Sequence, residues 1–210
     1  AKYTPYREII RNAGEFEYFA KTPLNIYRDS QGRKIIGYYG AIAEWFDIEL
    51  IRQLSERFAD CLLLLVGADT VDAKSKLSAQ KNIIFTGEVA YKDLTHYLYA
   101  FDVCLLPFKV IPLILATNPV KIYEYLGAGK PVVAVDVPEI KQFGELVRVG
   151  RDHLHCIEQV GSVLSEPIND ANIAARNASA EQPTWHPRAR DLARAVSRFH
   201  PPKVTLSVVT

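Results

Sequence analysis

Methionine is absent from all 210 residues, position 1 included, so the sequence reads as a piece cut from something longer. A surplus of one charge is absent too: 25 lysines and arginines against 24 aspartates and glutamates leave a formal charge of +1. That balance offers no argument for a nucleic acid or an acidic membrane surface as partner, and no nucleic acid is expected. Long apolar runs are missing. The strongest, LLLLV at 62–66, is far short of the ~20 residues of a bilayer-spanning helix, and no leader-peptide pattern opens the chain. Cysteine is scarce, with Cys61, Cys104 and Cys156 odd in number, widely spaced and each in apolar surroundings. This usage points to reduced, buried thiols of a cytoplasmic protein rather than to disulfides or a metal site. No Ser-His-Asp or Cys-His arrangement stands out. His153 and His155 are two apart on a predicted helix, face different ways and make a poor metal pair, so both are expected at the surface.

What is present is ordinary for a globular protein: 49% apolar and 23% charged residues in a length that suits one full-sized domain. Strand patterns at 34–40, 61–67, 82–87, 102–107, 131–136 and 146–149 alternate with helical ones at 46–58, 72–80, 91–101, 117–129 and 152–164. Residues 108–116 read as an irregular apolar loop. This order predicts an α/β fold, a Rossmann-like doubly wound parallel sheet of about six strands with short right-handed crossovers. Helices are expected at 171–180 and 187–199, and a further strand at 204–209 after the Pro201-Pro202 break. The division that follows is a linker and the end of a preceding domain over 1–33, the sheet domain over 34–200, and the first strand of a truncated following domain over 201–210.

The stretch TNPVKIYEYLGAGKPVVAV (117–135) carries the chemistry. Thr117 or Asn118 can cap a helix, Pro119 suits its first position, and Gly127 and Gly129 end it. At 100° per residue Lys121 and Glu124 share one stripe, with Ile122, Tyr123 and Leu126 opposite. A helix start beside a lysine favours a phosphate, and a carboxylate one turn later suits a ribose diol. The competing explanation is an exposed salt bridge at i,i+3, which is common and contributes little. The pair's position behind a strand-end loop favours the nucleotide. Gly40, in GYYG after the first strand, suits a close backbone approach to phosphate or a plain turn. There is no GxGxxG and no acidic residue ending the second strand, which disfavours NAD. Lys109 is a candidate second phosphate contact, Gly87–Val89 a backbone frame for a base, and Trp45 and Phe46 candidate stacking residues.

The segments IIGYYGAIAEWFD (35–47), LLLLVGAD (62–69), NIIFTGEVAYKDLTHYLYAFDVCLLPF (82–108) and ATNPVKIYEYLGAGKPVVAVDVPEI (116–140) together resemble one family. It is the C-terminal, nucleotide-sugar-binding domain of a GT-B glycosyltransferase of the family 4 type, found in bacterial surface-polysaccharide synthesis. The resemblance implies that Glu124 holds the ribose, Lys121 the diphosphate, Gly40 the pyrophosphate loop and Val89 the side of the base. Thr117 and Asn118 stand at the helix start facing the donor. It further implies a UDP- or GDP-sugar donor, no metal or other cofactor, retention of configuration, and a glycan or lipid-linked acceptor presented by an absent N-terminal domain. Action at the cytoplasmic face of the inner membrane would follow. RNAGEFEYF (11–19) is similar to the family's interdomain linker, TWHPRARDL (184–192) to its closing helix, and the tail KVTLSVVT (203–210) to the opening of a family 2 glycosyltransferase. Two family features are missing: Ala116 stands where a sugar-contacting glutamate is usual, and AIAEWFD lacks the usual loop lysine. A non-catalytic nucleotide-binding or scaffold module, and more remotely a GT-B epimerase, stay open.

Overall fold

The computed structural model describes residues 7–199. A single helical turn, α1 (Phe16–Phe19), precedes β1 (Ile35–Tyr39), α2 (Ile48–Arg57), β2 (Leu62–Val66), a one-turn α3 (Ala73–Lys76) and β3 (Ile83–Gly87). A 3-10 turn at Tyr91–Asp93 then leads to α4 (Leu94–Leu98), β4 (Val103–Leu106), α5 (Pro112–Leu115), α6 (Val120–Gly127) and β5 (Val132–Val135). A 3-10 run over Pro138–Leu146 leads to β6 (Val147–Gly150), α7 (His153–Ser165), α8 (Asp170–Glu181) and α9 (Trp185–Phe199).

The six strands form one parallel sheet in the order β3-β2-β1-β4-β5-β6, the doubly wound arrangement expected from the alternation. Their composition explains why. Every residue of β1, β2, β4 and β5 is buried, as β-branched and leucine-rich runs require when helices cover both faces of a sheet. Each such leucine or valine contributes about 1.5–3 kcal/mol by leaving water. The strand order reverses between β1 and β4, and a crevice at that switch point is where ligands bind in sheets of this kind. Helices α2 and α7 pack together, while α6 packs against α1 and α8.

At the amino end of the sheet three cations close helix ends. Lys130 Nζ donates to the carbonyls of Tyr99 and Phe101, Lys34 Nζ to that of Leu164, and Arg176 to that of Gly129. Positive groups there satisfy orphan carbonyls and oppose the negative helix ends.

Local departures from the sequence expectations have physical causes. The pattern over 91–101 gives a 3-10 turn and then a short α-helix, and the Lys92 carbonyl in that turn accepts from the Tyr18 hydroxyl at 2.7 Å. The loop expected at 108–116 contains α5, which Pro112 starts at its first position. The strand expected at 204–209 lies outside the described residues. All three cysteines are buried and free.

Candidate functional site

The carboxyl ends of β1, β2 and β3 are laced together by backbone. Gly40 N donates to Val66 O, Ile42 N to Ala68 O, and Gly67 N to Gly87 O, at 2.8, 2.8 and 2.9 Å. Gly40 has φ +129 and Gly67 φ +145, a region that side-chain-bearing residues avoid. A Cβ on Gly67 would stand 2.1 Å from the Gly40 carbonyl oxygen, so the two loops touch through bare backbone. On the other side, the β1–α2 loop is pinned to the β4–α5 loop. Asp47 N donates to Pro107 O, Lys109 N to Trp45 O, and Lys109 Nζ to Glu44 O at 3.0 Å. Lys109 therefore spends a donor on the rim of the crevice. Phe46 is fully buried against Tyr38, their ring centroids 5.0 Å apart, and is core rather than a stacking surface. Trp45 is half-buried.

Helix α6 opens onto this crevice with a start different from the expected one. Pro119 occupies the N-cap position and no side chain caps the helix. The expected cap by Thr117 or Asn118 is not formed, because both side chains are used elsewhere. The Thr117 hydroxyl donates to Leu113 O at 2.7 Å and closes α5. The Asn118 carbonyl oxygen accepts from Asn12 N and the Tyr123 hydroxyl, while its amide donates to Glu139. Asn118 thus brackets the 11–14 segment onto α6, and the first-turn N–H groups of α6 keep no side-chain acceptor. Such a terminus favours an anion.

Lys121 lies on the first turn. Its amine sits 5.9 Å from the centroid of the Tyr38 ring, and its stem crosses directly over Gly40, whose notional Cβ would be 2.1 Å from Lys121 Cε. Among the described residues the amine donates no hydrogen bond and forms no ion pair, Glu124 included, so the surface salt bridge weighed from sequence is not what this pair makes. Burial pushes its pKa below the ordinary 10.5, with Glu124 opposing the shift.

Glu124 does not face solvent as the helical wheel suggests; only 5% of it is exposed. Its Oε2 accepts from the Tyr39 hydroxyl at 2.6 Å, and its Oε1 accepts a long bond of 3.4 Å from the Tyr91 hydroxyl. Burial raises its pKa above the ordinary 4.5, and the Tyr39 bond and Lys121 partly offset this. Tyr39 is itself held: its N–H donates to the Tyr125 hydroxyl at 3.2 Å and the two rings meet edge-on at 4.9 Å. Val89, half-buried, follows Gly87 and lines a groove of about 610 Å³ with Pro23, Asn25 and His96. Ala116 ends α5 and is exposed.

Sequence reasoning missed Tyr39, Tyr91 and Gly67, whose parts in the crevice come from pairings across the sheet. It also left His153 at the surface. Its Nε2 lies 2.8 Å from Asp47 Oδ2, tying α7 to the residue that caps α2. No cluster of three or more His, Cys, Asp or Glu able to hold a metal occurs among the described residues. No helix is long and apolar enough to cross a membrane among them.

A family model described as glycosyl transferases group 1 matches residues 33–171, which span all six strands and helices α2 to α7. The chain belongs to the group 1 glycosyl transferases. Among its relatives is TuaH of Bacillus subtilis, whose name assigns it to teichuronic acid biosynthesis. It is 31% identical over 135 residues, which are 61% of this chain and 34% of TuaH. The chain therefore spans about a third of that relative's length. Solved structures of similar fold include a sucrose-phosphate synthase of Thermosynechococcus elongatus. Its TM-score is 0.69 at 16% identity, over 91% of this chain and 52% of that one. Anabaena HepE in complex with UDP and glucose has a TM-score of 0.64 at 18% identity, over 79% of this chain and 48% of that one. These two likenesses establish the fold: a GT-B-type Rossmann-like sheet. In this group 1 glycosyl transferase, Gly40, Lys121 and Glu124 come together at the carboxyl end of β1, the Lys121 stem over Gly40 and Glu124 bonded to Tyr39.

Proposed function

We propose that this chain is the donor-binding, C-terminal half of a GT-B glycosyltransferase, taking a UDP- or GDP-sugar and presenting it to a glycan or lipid-linked acceptor. One observation carries the reading. The uncapped start of α6, the unpaired, largely desolvated amine of Lys121 and the bare backbone of Gly40 converge, which is the chemistry of a diphosphate cradle. As the sugar leaves, charge grows on the diphosphate; Lys121 and the first-turn N–H groups of α6 stabilise it without reorganising. Glu124 accepts from the ribose diol, and Val89 flanks the base. Lys109, Thr117 and Asn118 hold the loops and the helix start that frame the donor. The acceptor and any further catalytic group come from a preceding domain, with action at the cytoplasmic face of a membrane and retention of configuration. The name of TuaH supports a place in surface-polysaccharide synthesis.

The reading is tested by titrating UDP, GDP, ADP and NAD against the wild type, Lys121→Ala and Glu124→Ala. One nucleoside diphosphate is expected to bind. Each substitution should weaken it by about 1.5–3 kcal/mol, the scale of a hydrogen bond to a charged group. Unchanged affinity in folded variants would sink the assignment. A second reading, a non-catalytic nucleotide-binding module, draws on Ala116 in place of a sugar-gripping glutamate. A full-length parent that binds donor but neither transfers nor hydrolyses it would favour that reading.

A further inference from the structure

We infer that the two oxygens of Glu124 are assigned different tasks by two tyrosines. Tyr39 permanently positions Oε2, and Tyr91 is a stand-in donor on Oε1 that a ligand hydroxyl displaces. The inference rests on Glu124 being the ribose contact and adds to it which oxygen works and what must move.

The asymmetry is in the geometry. Tyr39 is 2% exposed, anchored through its own N–H and by the Tyr125 ring, and its hydroxyl lies 2.6 Å from Oε2. This is the short distance of an O–H bond to a carboxylate, and it belongs to a side chain with no room to leave. Tyr91 differs in each respect. It is 47% exposed, it rides on a single 3-10 turn, and its hydroxyl reaches Oε1 only at 3.4 Å. Its ring lies against Tyr18, with centroids 5.7 Å apart and planes 19° apart, and edge-on to Phe19 at 5.8 Å. Those contacts hold the ring while leaving the hydroxyl poorly seated. A carboxylate oxygen buried with a weak partner costs free energy, and a diol hydroxyl at normal distance satisfies it better. Tyr91 therefore keeps Glu124 partly solvated by protein and competes with the ligand for it.

The groups facing this carboxylate are Tyr39 from β1, Lys121 from its own helix, Tyr91 from the 3-10 turn and Glu15 from the segment before α1. Of these, Tyr39, Lys121 and Tyr91 favour the ionised form, and Glu15 and burial oppose it. Removing the Tyr39 hydroxyl should thus let Glu124 protonate at a higher pH than in the wild type.

The test is nucleoside diphosphate affinity, with UDP and GDP as probes, across pH 4–9 for wild type, Tyr39→Phe, Tyr91→Phe and Glu124→Ala. Tyr91→Phe keeps the ring and should lower Kd by about three-fold, the low end for loss of a competing hydrogen bond that is long and poorly seated. Tyr39→Phe should raise Kd by about ten-fold and move the acid limb of the binding profile to higher pH. A merely structural tyrosine would weaken binding equally at every pH. An unchanged or raised Kd for Tyr91→Phe, or an unmoved acid limb for Tyr39→Phe, overturns the inference. If Glu124→Ala binds as the wild type does, it is the ribose assignment that fails instead.

Discussion

Replacing Gly40 by alanine puts the crevice to its most direct test, because the structure fixes what the added methyl meets. On the observed backbone the new Cβ lies 2.1 Å from Lys121 Cε, 2.7 Å from its Nζ and 3.2 Å from the Tyr38 hydroxyl. Carbon atoms settle at about 3.5–4.0 Å, so the lysine stem must retreat by roughly 1.5–2 Å. A flexible stem can do that, but its amine then leaves the mouth of α6. The backbone gains no such relief: alanine at φ +129 is strained by on the order of 1–3 kcal/mol. Two separate losses follow. Diphosphate affinity should fall by about 10–100-fold, the weight of one charge-assisted contact, and stability should fall by the strain. Lys121→Ala removes the same contact and also removes the obstruction. The double variant should therefore bind no worse than Lys121→Ala alone. The backbone strain at position 40 is the same in both backgrounds, so the stability loss from Gly40→Ala should stay about the same. Titration calorimetry with UDP and GDP and urea unfolding of the four proteins measure both cycles. Additive binding losses would refute the claim that Gly40 acts by giving Lys121 its path.

Further perturbations separate ligand chemistry from architecture. Burial raises the Glu124 carboxyl above 4.5, so the native state keeps this proton to higher pH than the unfolded chain, and the stability it contributes is lost as pH rises through the native value. Glu124→Gln should then melt higher than wild type at pH 7, with the difference closing below pH 4.5, although it binds nucleotide less well; a lower melting point at pH 7 would contradict this. Asn118→Ala should cost about 1–3 kcal/mol in urea unfolding by orphaning Asn12 N, and should speed proteolysis near residues 11–14. Asp47→Ala loses the α2 cap, to Leu50 N, together with the His153 contact; at least 0.5–2 kcal/mol, roughly, should be lost in urea, and Asp47→Asn should restore most of the cap. Lys130→Met strips donors from the Tyr99 and Phe101 carbonyls and should lower the melting temperature despite adding apolar bulk, by about 1–3 kcal/mol of stability.

The six strands were legible because each is a short, largely apolar run with glycine, proline or polar residues at its ends, and the four central ones are covered by helices on both faces. Period and length were enough there, and the doubly wound order follows from strand–helix alternation. The 91–101 region misled for a local reason. Leu94, Tyr97, Leu98 and Phe101 keep helical spacing, but that pattern says nothing about the Lys92 carbonyl, which accepts from Tyr18, 74 residues away. The cap at Thr117 and Asn118 misled in a similar way. Both residue types can cap, and nothing local reveals that Asn118 is held by a segment 106 residues earlier.

The deeper difficulty lies in α6 itself. A helical wheel sorts residues by period and assumes that a charged stripe meets water, which is the commoner outcome because a lone buried charge is expensive. Here Ile122 through Gly127 are all buried, Glu124 among them, and the wheel has no means of expressing that. What makes the burial tolerable is a hydroxyl from β1, 85 residues away, and another from the 3-10 turn, 33 residues away. A structural role alone would be served better by an apolar residue at 124, since replacing a buried charge with a well-packed neutral group is often neutral or stabilising. A carboxylate kept there with one oxygen firmly bonded and the other poorly satisfied makes sense where a polar ligand completes its hydrogen bonding. Burial, asymmetric pairing and the unpaired amine of Lys121 one turn earlier thus point the same way: under the proposed function, a diol on Glu124 and a diphosphate on Lys121 complete the hydrogen bonding that the fold leaves open on α6.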